Sequence, residues 1–156
     1  MLASNKVLSK PINNILLAED DIDDQNIFQL ALQEVDSKID IQFVSNGKEL
    51  LQLLSTKNPD MLFLDLEMPY KNGLECLVEI RSNKNFEDLP VIVFSSTTKP
   101  SNVQTAYEMG ANLFFIKPAV YSEYLSSIKA LLKLDWNNPS EVKEQYCING
   151  RYTAFN

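Results

Sequence analysis

The segment 61–69, Met-Leu-Phe-Leu-Asp-Leu-Glu-Met-Pro, constrains the fold more than any other stretch of the chain. Its apolar run is unbroken until Asp65, which is typical of a strand buried on both faces of a helix-covered parallel sheet. Pro69 cannot continue a central strand, so the strand must end near Asp65. Asp65 is thereby placed at the carboxyl end of a buried strand, where open α/β sheets bind their ligands.

A second acidic group follows an apolar run upstream. Residues 15–18 are apolar and lead directly into Glu19, Asp20 and Asp21. A single aspartate at a strand end is equally well explained as a strand terminator or a helix cap. Two acidic strand ends in one small α/β chain favour a shared site.

Composition limits the class of protein. A chain of 156 residues is long enough for one domain with a buried core. The net charge of −7, without a basic stripe, argues against nucleic-acid or membrane binding and fits a cation site or basic partners. The absence of histidine excludes a histidine-dependent triad, and Cys76 and Cys147 are too few for a disulfide framework or zinc site. Without a membrane-length apolar run or a signal-peptide pattern, we expect a cytoplasmic protein.

Strand and helix patterns alternate along the chain. Asn46 and Asn72 each precede a glutamate by three residues, which indicates two capped helix starts. Asp21 is suited to cap the first helix, and Asp23 and Asp24 are expected to favour its N-terminus electrostatically. Five βα units predict a doubly wound five-stranded parallel sheet with right-handed crossovers. The predicted strands span 12–18, 39–44, 61–65, 91–94 and 113–116.

Four of the predicted strands end in polar residues that could serve one site: Glu19 and Asp20 after the first, Asp65 after the third, Ser95 after the fourth and Lys117 after the fifth. If the strand order is 2-1-3-4-5, strands one and three are neighbours and their three carboxylates meet. At about 4 Å and a dielectric of about 20, each like-charged pair costs roughly 4 kcal/mol, so the cluster requires a cation or a raised pKa. Oxygen ligands suit Mg²⁺, and a lysine and a hydroxyl opposite it suit phosphoryl oxygens. The pattern predicts a phosphoryl-accepting site.

From about Asn13 to Leu134 the chain resembles a CheY-like receiver domain of two-component response regulators. The matching pieces are Glu19-Asp20, Asp65 with Met68-Pro69, Ser95, and the segment Phe-Phe-Ile-Lys-Pro at 114–118. The chain looks closest to stand-alone receivers, including those partnered with bacterial phytochromes. The resemblance implies a flavodoxin-like fold and three parts: an N-terminal extension at 1–12, the receiver at 13–134 and a C-terminal extension at 135–156.

The resemblance also implies a role for each matching residue. Asp65 would be the phosphorylated aspartate. Asp20, Glu19 (directly or through water), Asp65 and the backbone carbonyl of Glu67 would hold Mg²⁺, with Mn²⁺ as an alternative. Lys117 would pair with the phosphoryl group or, at rest, with Asp65, and Ser95 would hydrogen-bond a phosphoryl oxygen.

Three further expectations come from the same resemblance. Phe114 matches the aromatic residue whose rotamer follows phosphorylation, although it lacks the hydroxyl of the commoner tyrosine. The Glu67 side chain and Thr97 would tune hydrolysis of the acyl phosphate. The Lys117–Pro118 bond is expected to be cis, which only an X–Pro bond allows at a cost of about 0.5–1 kcal/mol.

The function expected from this resemblance is that of a signalling protein that assists its own phosphorylation and dephosphorylation without being an enzyme in the ordinary sense. The donor would be a sensor histidine kinase or a phosphotransfer protein. The output would be phosphorylation-dependent association, with a second copy as a homodimer or with the kinase, through the face of the fourth helix, fifth strand and fifth helix. Neither nucleic acid nor membrane is an expected partner.

Other functions remain open at this point. A haloacid-dehalogenase-like phosphatase also uses a strand-end aspartate followed by an acid two residues on, as in Asp65-Leu66-Glu67, but that motif belongs on the first strand and requires a cap insertion. A flavodoxin-like binding module needs a glycine- or hydroxyl-rich phosphate loop where this chain has Glu19-Asp20-Asp21. A receiver-like binding module that is never phosphorylated is disfavoured because no site residue is missing.

The C-terminal extension carries Trp136, Tyr152 and Phe155, which make it too apolar for a free linker. It is also too short for an output domain. Asn149-Gly150 lies between Tyr-Cys-Ile at 146–148 and Arg-Tyr-Thr at 151–153, with no helical pattern behind it, which favours a type I′ hairpin. An isolated hairpin is only marginally stable, so we expect the extension to dock on the receiver or on a partner.

Overall fold

The computed structural model describes residues 10–156, so most of the proposed extension at 1–12 lies outside the described residues. Five strands form one parallel sheet in the order 2-1-3-4-5, which confirms the predicted architecture. The strands are β1 (Asn14–Ala18), β2 (Asp40–Val44), β3 (Met61–Leu64), β4 (Val91–Ser95) and β5 (Leu113–Ile116).

A helix follows each strand of the parallel sheet, and the first three helices begin at the predicted caps. The helices are α1 (Ile22–Val35), α2 (Gly47–Leu54), α3 (Gly73–Ser82), α4 (Pro100–Glu108), α5 (Tyr121–Leu132) and a further short helix, α6 (Pro139–Gln145). Asp21 and Asn46 accept from the backbone N–H three residues on, and Asn72 with Glu75 forms a complete capping box. The predicted box at Asn46 is only half present, because the Glu49 carboxylate accepts from the Ser45 N–H instead.

The sheet divides the core into two layers. Alternate residues of each strand point to opposite faces, so Leu16 and Leu62 pack beneath α2, α3 and α4, while Leu17 and Phe63 pack beneath α1 and α5. All four residues of β3 are buried. The central strand is therefore covered on both faces, and its carboxyl end is fixed within the sheet.

The C-terminal segment forms the predicted hairpin. Its strands are β6 (Cys147–Ile148) and β7 (Arg151–Tyr152), and the turn residues Asn149 and Gly150 have φ values of 53° and 76°, as a type I′ turn requires. The helix α6 was not predicted, because Val142 is its only buried apolar residue and no amphipathic pattern marks it.

The C-terminal segment docks on α4 and on the outer edge of β5. Phe155 pairs in parallel with Phe115, its N–H donating to the Phe114 carbonyl at 2.7 Å and its carbonyl accepting from the Ile116 N–H at 3.2 Å. The ring of Tyr152 stacks on that of Tyr107 with centroids 4.7 Å apart. The segment thus covers the edge of the sheet that an unpaired fifth strand would expose.

None of the helices within residues 10–156 combines the length and the apolar character needed to cross a membrane.

We predict that Phe155→Ala lowers the free energy of unfolding by about 3 kcal/mol, because it empties a buried aromatic site. Phe155 is 8% exposed and packs against Phe115 and Tyr146. The matched control is Ile148→Ala in the same hairpin, at a side chain that is 56% exposed, with an expected change below about 0.5 kcal/mol. Urea unfolding measures both. Equal effects would mean that the C-terminal segment is not part of the core.

Candidate phosphoryl-accepting site

Three carboxylates converge where β1 and β3 end. Ala18 and Leu64 are opposite each other in the ladder, so Glu19 and Asp65 leave neighbouring strands at the same level. The carboxylate oxygens of Glu19, Asp20 and Asp65 lie within 4.8 Å of one another. Glu19 is fully buried and Asp65 nearly so, whereas Asp20 is exposed. The sequence-predicted acids therefore form one cluster with one solvent-facing side.

This donor set fits a hard divalent cation. Carboxylate oxygens are the ligands that Mg²⁺ and Mn²⁺ prefer, and an exposed side allows the ion to keep water molecules. A site for a soft metal would require nitrogen or sulfur ligands, and neither is present among the clustered side chains.

The loop after β3 folds closely over Asp65. The Glu67 N–H donates to Asp65 Oδ1 at 3.2 Å, and the Gly73 N–H donates to the Leu66 carbonyl at 2.9 Å. A Cβ atom at Gly73 would lie 2.1 Å from the Asp65 carbonyl oxygen, so the close approach allows only glycine. The peptide of Glu67 is thereby held beside the acceptor carboxylate, while the Glu67 side chain is exposed.

Lys117 extends from the end of β5 into the acidic cluster. Its Nζ lies 2.6 Å from Glu19 Oε2, 2.9 Å from Asp24 Oδ2 and 3.3 Å from Asp65 Oδ2. The expected pair with Asp65 is present but is the longest of the three contacts. The ammonium group also lies 5.2 Å from the centroid of the Phe94 ring.

Asp24 is a site residue that sequence reasoning missed. We expected it only to favour the N-terminus of α1, but its side chain forms an ion pair with Lys117. Its neighbour Asp23 has the same charge and lies in the same helical turn, and it is exposed. The sequence alone gives no signal that separates the two aspartates.

Burial and hydrogen bonding act differently on the pKa values of Glu19 and Lys117. Burial raises the pKa of Glu19 from 4.5 to about 7, although the hydrogen bond from Lys117 lowers it. Burial also lowers the pKa of Lys117, but its hydrogen bonds to Glu19 and Asp24 outweigh this and leave the pKa above its ordinary value. With a pKa of about 7, Glu19 is only partly ionised near neutral pH, which relieves part of the repulsion inferred from the sequence.

The strand β4 ends at Ser95, whose backbone is hydrogen-bonded to that of Lys117. Ser95 is 5% exposed, and its carbonyl accepts from the Lys117 N–H at 2.8 Å, which ties the two strand ends together. The Ser95 Oγ accepts from the Thr97 N–H at 3.2 Å. Thr97 Oγ1 in turn accepts from the Lys99 N–H and the Asn102 side chain, so its hydroxyl is engaged at the start of α4.

Phe114 is fully buried in the layer beneath α4. Its N–H donates to Tyr107 Oη at 3.0 Å, and that hydroxyl donates to the Thr153 carbonyl at 3.0 Å. A rotamer change at Phe114 on phosphorylation stays a prediction. Tyr107 therefore links the backbone of Phe114 to the docked C-terminal segment.

The Lys117–Pro118 bond was expected to be cis, and this was wrong: the bond is trans, as is every other peptide bond within residues 10–156. The trans form is the lower in free energy for an X–Pro bond, by about 0.5–1 kcal/mol. Lys117 reaches all three carboxylates with the bond trans, so the contacts of the site do not require the cis form.

Comparison with known proteins places these features in one family. The sequence model described as "Response regulator receiver domain" matches residues 15–129. The two-component response regulator ORR3 of Oryza sativa subsp. indica is 30% identical over 116 residues, which cover 74% of this chain and 87% of that protein.

Two solved structures share the fold and more than a quarter of the aligned sequence. The phosphorylated cyanobacterial phytochrome response regulator RcpA has a TM-score of 0.72 at 27% identity, with 78% of this chain and 91% of that chain covered. The response regulator RPA3017, described in red light signaling of R. palustris, has a TM-score of 0.72 at 27% identity, with coverages of 77% and 91%. These matches confirm the predicted resemblance.

We predict that Glu19 titrates near pH 7 in the metal-free protein, well above its ordinary value of 4.5. Because the folded-state pKa is raised, the stability that Glu19 contributes is full below about pH 4.5 and is lost as the pH rises through about 7. Carboxyl ¹³C NMR measures the titration, and urea unfolding between these pH values measures the loss, which Glu19→Gln should abolish. Titration of Glu19 near 4.5 would contradict the prediction.

Proposed function

Because the chain belongs to the family of response regulator receiver domains, we propose that it accepts a phosphoryl group on Asp65 from a histidine kinase or a phosphotransfer protein. The observation that carries this proposal is the convergence of Glu19, Asp20, Asp65 and Lys117 at the ends of three strands. Receiver domains are signalling proteins and not enzymes in the ordinary sense. The fold gives no support to the phosphatase alternative, because Asp65 follows the third strand of the chain and not the first.

Asp65 is the nucleophile in the proposed reaction. A carboxylate oxygen attacks the phosphorus of the donor phosphohistidine in line, an O–P bond forms, and the N–P bond breaks with its electron pair passing to the departing imidazole nitrogen. The Glu67 N–H holds Oδ1 and Lys117 contacts Oδ2, so the carboxylate is oriented before the donor arrives. Lys117 donates to a phosphoryl oxygen.

Ser95 is the second donor to the phosphoryl group. Its oxygen already accepts from the Thr97 N–H, so the hydroxyl proton is available for a phosphoryl oxygen. The residue is nearly buried at a strand end joined to that of Lys117. The two donors therefore come from neighbouring strands, β4 and β5.

The proposed cation is Mg²⁺, with Mn²⁺ as an alternative. Asp20, Asp65 and the Glu67 backbone carbonyl would hold it, with Glu19 acting directly or through water. When bound, the ion supplies positive charge that neutralises the phosphoryl oxygens. The acidic cluster supports this assignment because its three carboxylates otherwise repel one another.

Glu67 and Thr97 are the residues that we propose to tune the lifetime of the acyl phosphate. The Glu67 side chain is exposed two residues after the acceptor, where it can influence a hydrolytic water. The Thr97 hydroxyl is tied to the start of α4, so its position is linked to that helix. In this proposal the chain assists its own dephosphorylation.

The proposed output is phosphorylation-dependent association through a surface that includes the C-terminal segment. The receiver would end near Leu134, and residues 135–156 would act as an accessory unit on α4 and β5. Tyr107 contacts both Phe114 and Thr153, which supports a link between the site-bearing strand and this segment. Either a second copy, giving a homodimer, or the kinase would be the partner. The net charge of −7 supports neither a nucleic-acid nor a membrane partner.

We predict that Mg²⁺ and acetyl phosphate add one phosphoryl group to the protein, because Asp65 is oriented for attack. Intact-mass measurement detects it. Asp65→Asn should abolish the addition, whereas Asp36→Asn at the far end of α1 should not. Modification that persists in Asp65→Asn would place the acceptor elsewhere, and no modification of the native chain would favour a receiver-like module that is never phosphorylated.

We predict that Mg²⁺ binds before phosphorylation and that Asp20→Asn weakens binding by about tenfold or more, since it removes one of three clustered carboxylates. Calorimetric titration measures the affinity. Asp36→Asn removes the same charge outside the cluster and should leave the affinity unchanged. Equal losses in the two variants would indicate a diffuse surface charge instead of a site.

We predict that beryllofluoride, which mimics the acyl phosphate, changes association in a manner that depends on the hairpin. Sedimentation tests self-association and a pull-down tests the kinase. Ile148→Ser alters an exposed hairpin residue and should weaken the response while Asp65 phosphorylation stays normal. A response identical to that of the native chain would remove the hairpin from the output surface.

A further inference from the structure

The contact between Asp24 and Lys117 is not explained by helix stability. Asp23 and Asp24 both lie in the first turn of α1, where either favours the positive end of the helix dipole. Asp23 is exposed, whereas the Asp24 side chain is 31% exposed and lies 2.9 Å from Lys117 Nζ. One of two adjacent, chemically identical residues is therefore directed at the lysine of the site.

Asp24 reaches the site only through that lysine. The carboxylates that cluster as possible cation ligands within residues 10–156 are those of Glu19, Asp20 and Asp65. Lys117 has two of these, Glu19 and Asp65, as partners, and Asp24 as its third. Asp24 is thus the one anionic partner of Lys117 that has no other task in the proposed reaction.

The difference between Asp24 and the other two partners of Lys117 matters when a cation is bound and Asp65 is phosphorylated. A bound cation would draw on the oxygens of Glu19 and Asp65, and phosphorylation would convert one Asp65 oxygen into the bridging oxygen of an acyl phosphate. Both events would therefore involve partners of Lys117, whose Nζ lies 2.6 Å from Glu19 Oε2 and 3.3 Å from Asp65 Oδ2. Neither event would involve Asp24.

We propose that Asp24 is a positioning residue that holds the Lys117 ammonium group over the acceptor while Glu19 and Asp65 engage the cation and the phosphoryl group. This inference rests on the proposed function. The segment Glu19–Asp24 then supplies both sides of the site: Glu19 and Asp20 face the cation, and Asp24, four residues after Asp20 in the first turn of α1, faces the lysine.

The test compares Asp24→Asn, Asp24→Glu and Asp23→Asn with the native chain. At saturating Mg²⁺, Asp24→Asn should slow phosphorylation by acetyl phosphate about fivefold, the equivalent of about 1 kcal/mol for a partly exposed charge-assisted hydrogen bond. Asp24→Glu keeps the charge and should restore most of the rate. Asp23→Asn removes the same charge from the same turn and should not change it.

A second readout reports on Lys117 itself. In the metal-free protein, the ¹⁵N-ammonium NMR signal of Lys117 should broaden or exchange faster with water in Asp24→Asn, and should be unchanged in Asp23→Asn. A role limited to helix stability would affect both variants alike and would leave the lysine signal intact.

The outcomes separate the two claims. No phosphorylation of the native chain would overturn the proposed function, whereas normal phosphorylation with equal rates in Asp24→Asn and Asp23→Asn would overturn only the role of Asp24. If Asp24→Asn fails to fold, a crystal structure of the native chain with Mg²⁺ and beryllofluoride decides the question. Lys117 Nζ should remain within hydrogen-bond distance of Asp24, and a separated pair would overturn the inference.

Discussion

The rest of the site depends on the ion pairs that the Lys117 ammonium group forms with Glu19, Asp24 and Asp65. Parallel strands end at the same edge of a sheet, so the fold that buries β1 and β3 also forces the carboxylates of Glu19 and Asp65 together. Lys117 offsets part of that negative charge, and the raised pKa of Glu19 leaves its carboxyl group partly protonated near neutral pH. The remaining negative charge is what makes a divalent cation favourable at this place.

The same lysine joins parts of the chain that are distant in sequence. Its contacts unite the end of β5 with the loop after β1, the first turn of α1 and the end of β3. Its backbone N–H adds the end of β4 through the Ser95 carbonyl. From β5, the hydrogen bonds of the Phe114 N–H to Tyr107 Oη and of Tyr107 Oη to the Thr153 carbonyl continue this set of contacts to the docked C-terminal segment.

The sequence was sufficient to place most of the clustered residues, because the carboxyl end of a buried strand is marked where its apolar run stops. The strand order came from the resemblance to receiver domains. Asp65, Glu19 and Lys117 each follow an apolar run, so their positions at the sheet edge could be read directly. The choice between Asp23 and Asp24 could not, since it depends on how α1 is rotated where it packs against α5. Arg81 was likewise missed: it resembles a surface residue of α3, yet its guanidinium donates to the carbonyls of Gly110, Phe86 and Leu89. Such contacts depend on tertiary packing and leave no periodic signal.

Chemical trapping shows directly whether Asp65 becomes an acyl phosphate. Borohydride reduces an aspartyl phosphate to homoserine, which peptide mass spectrometry locates in the sequence. After treatment with acetyl phosphate and Mg²⁺, we expect homoserine at position 65 and at no other aspartate. Homoserine at Asp20 or Asp24, or none in a chain that remains folded, would contradict this expectation.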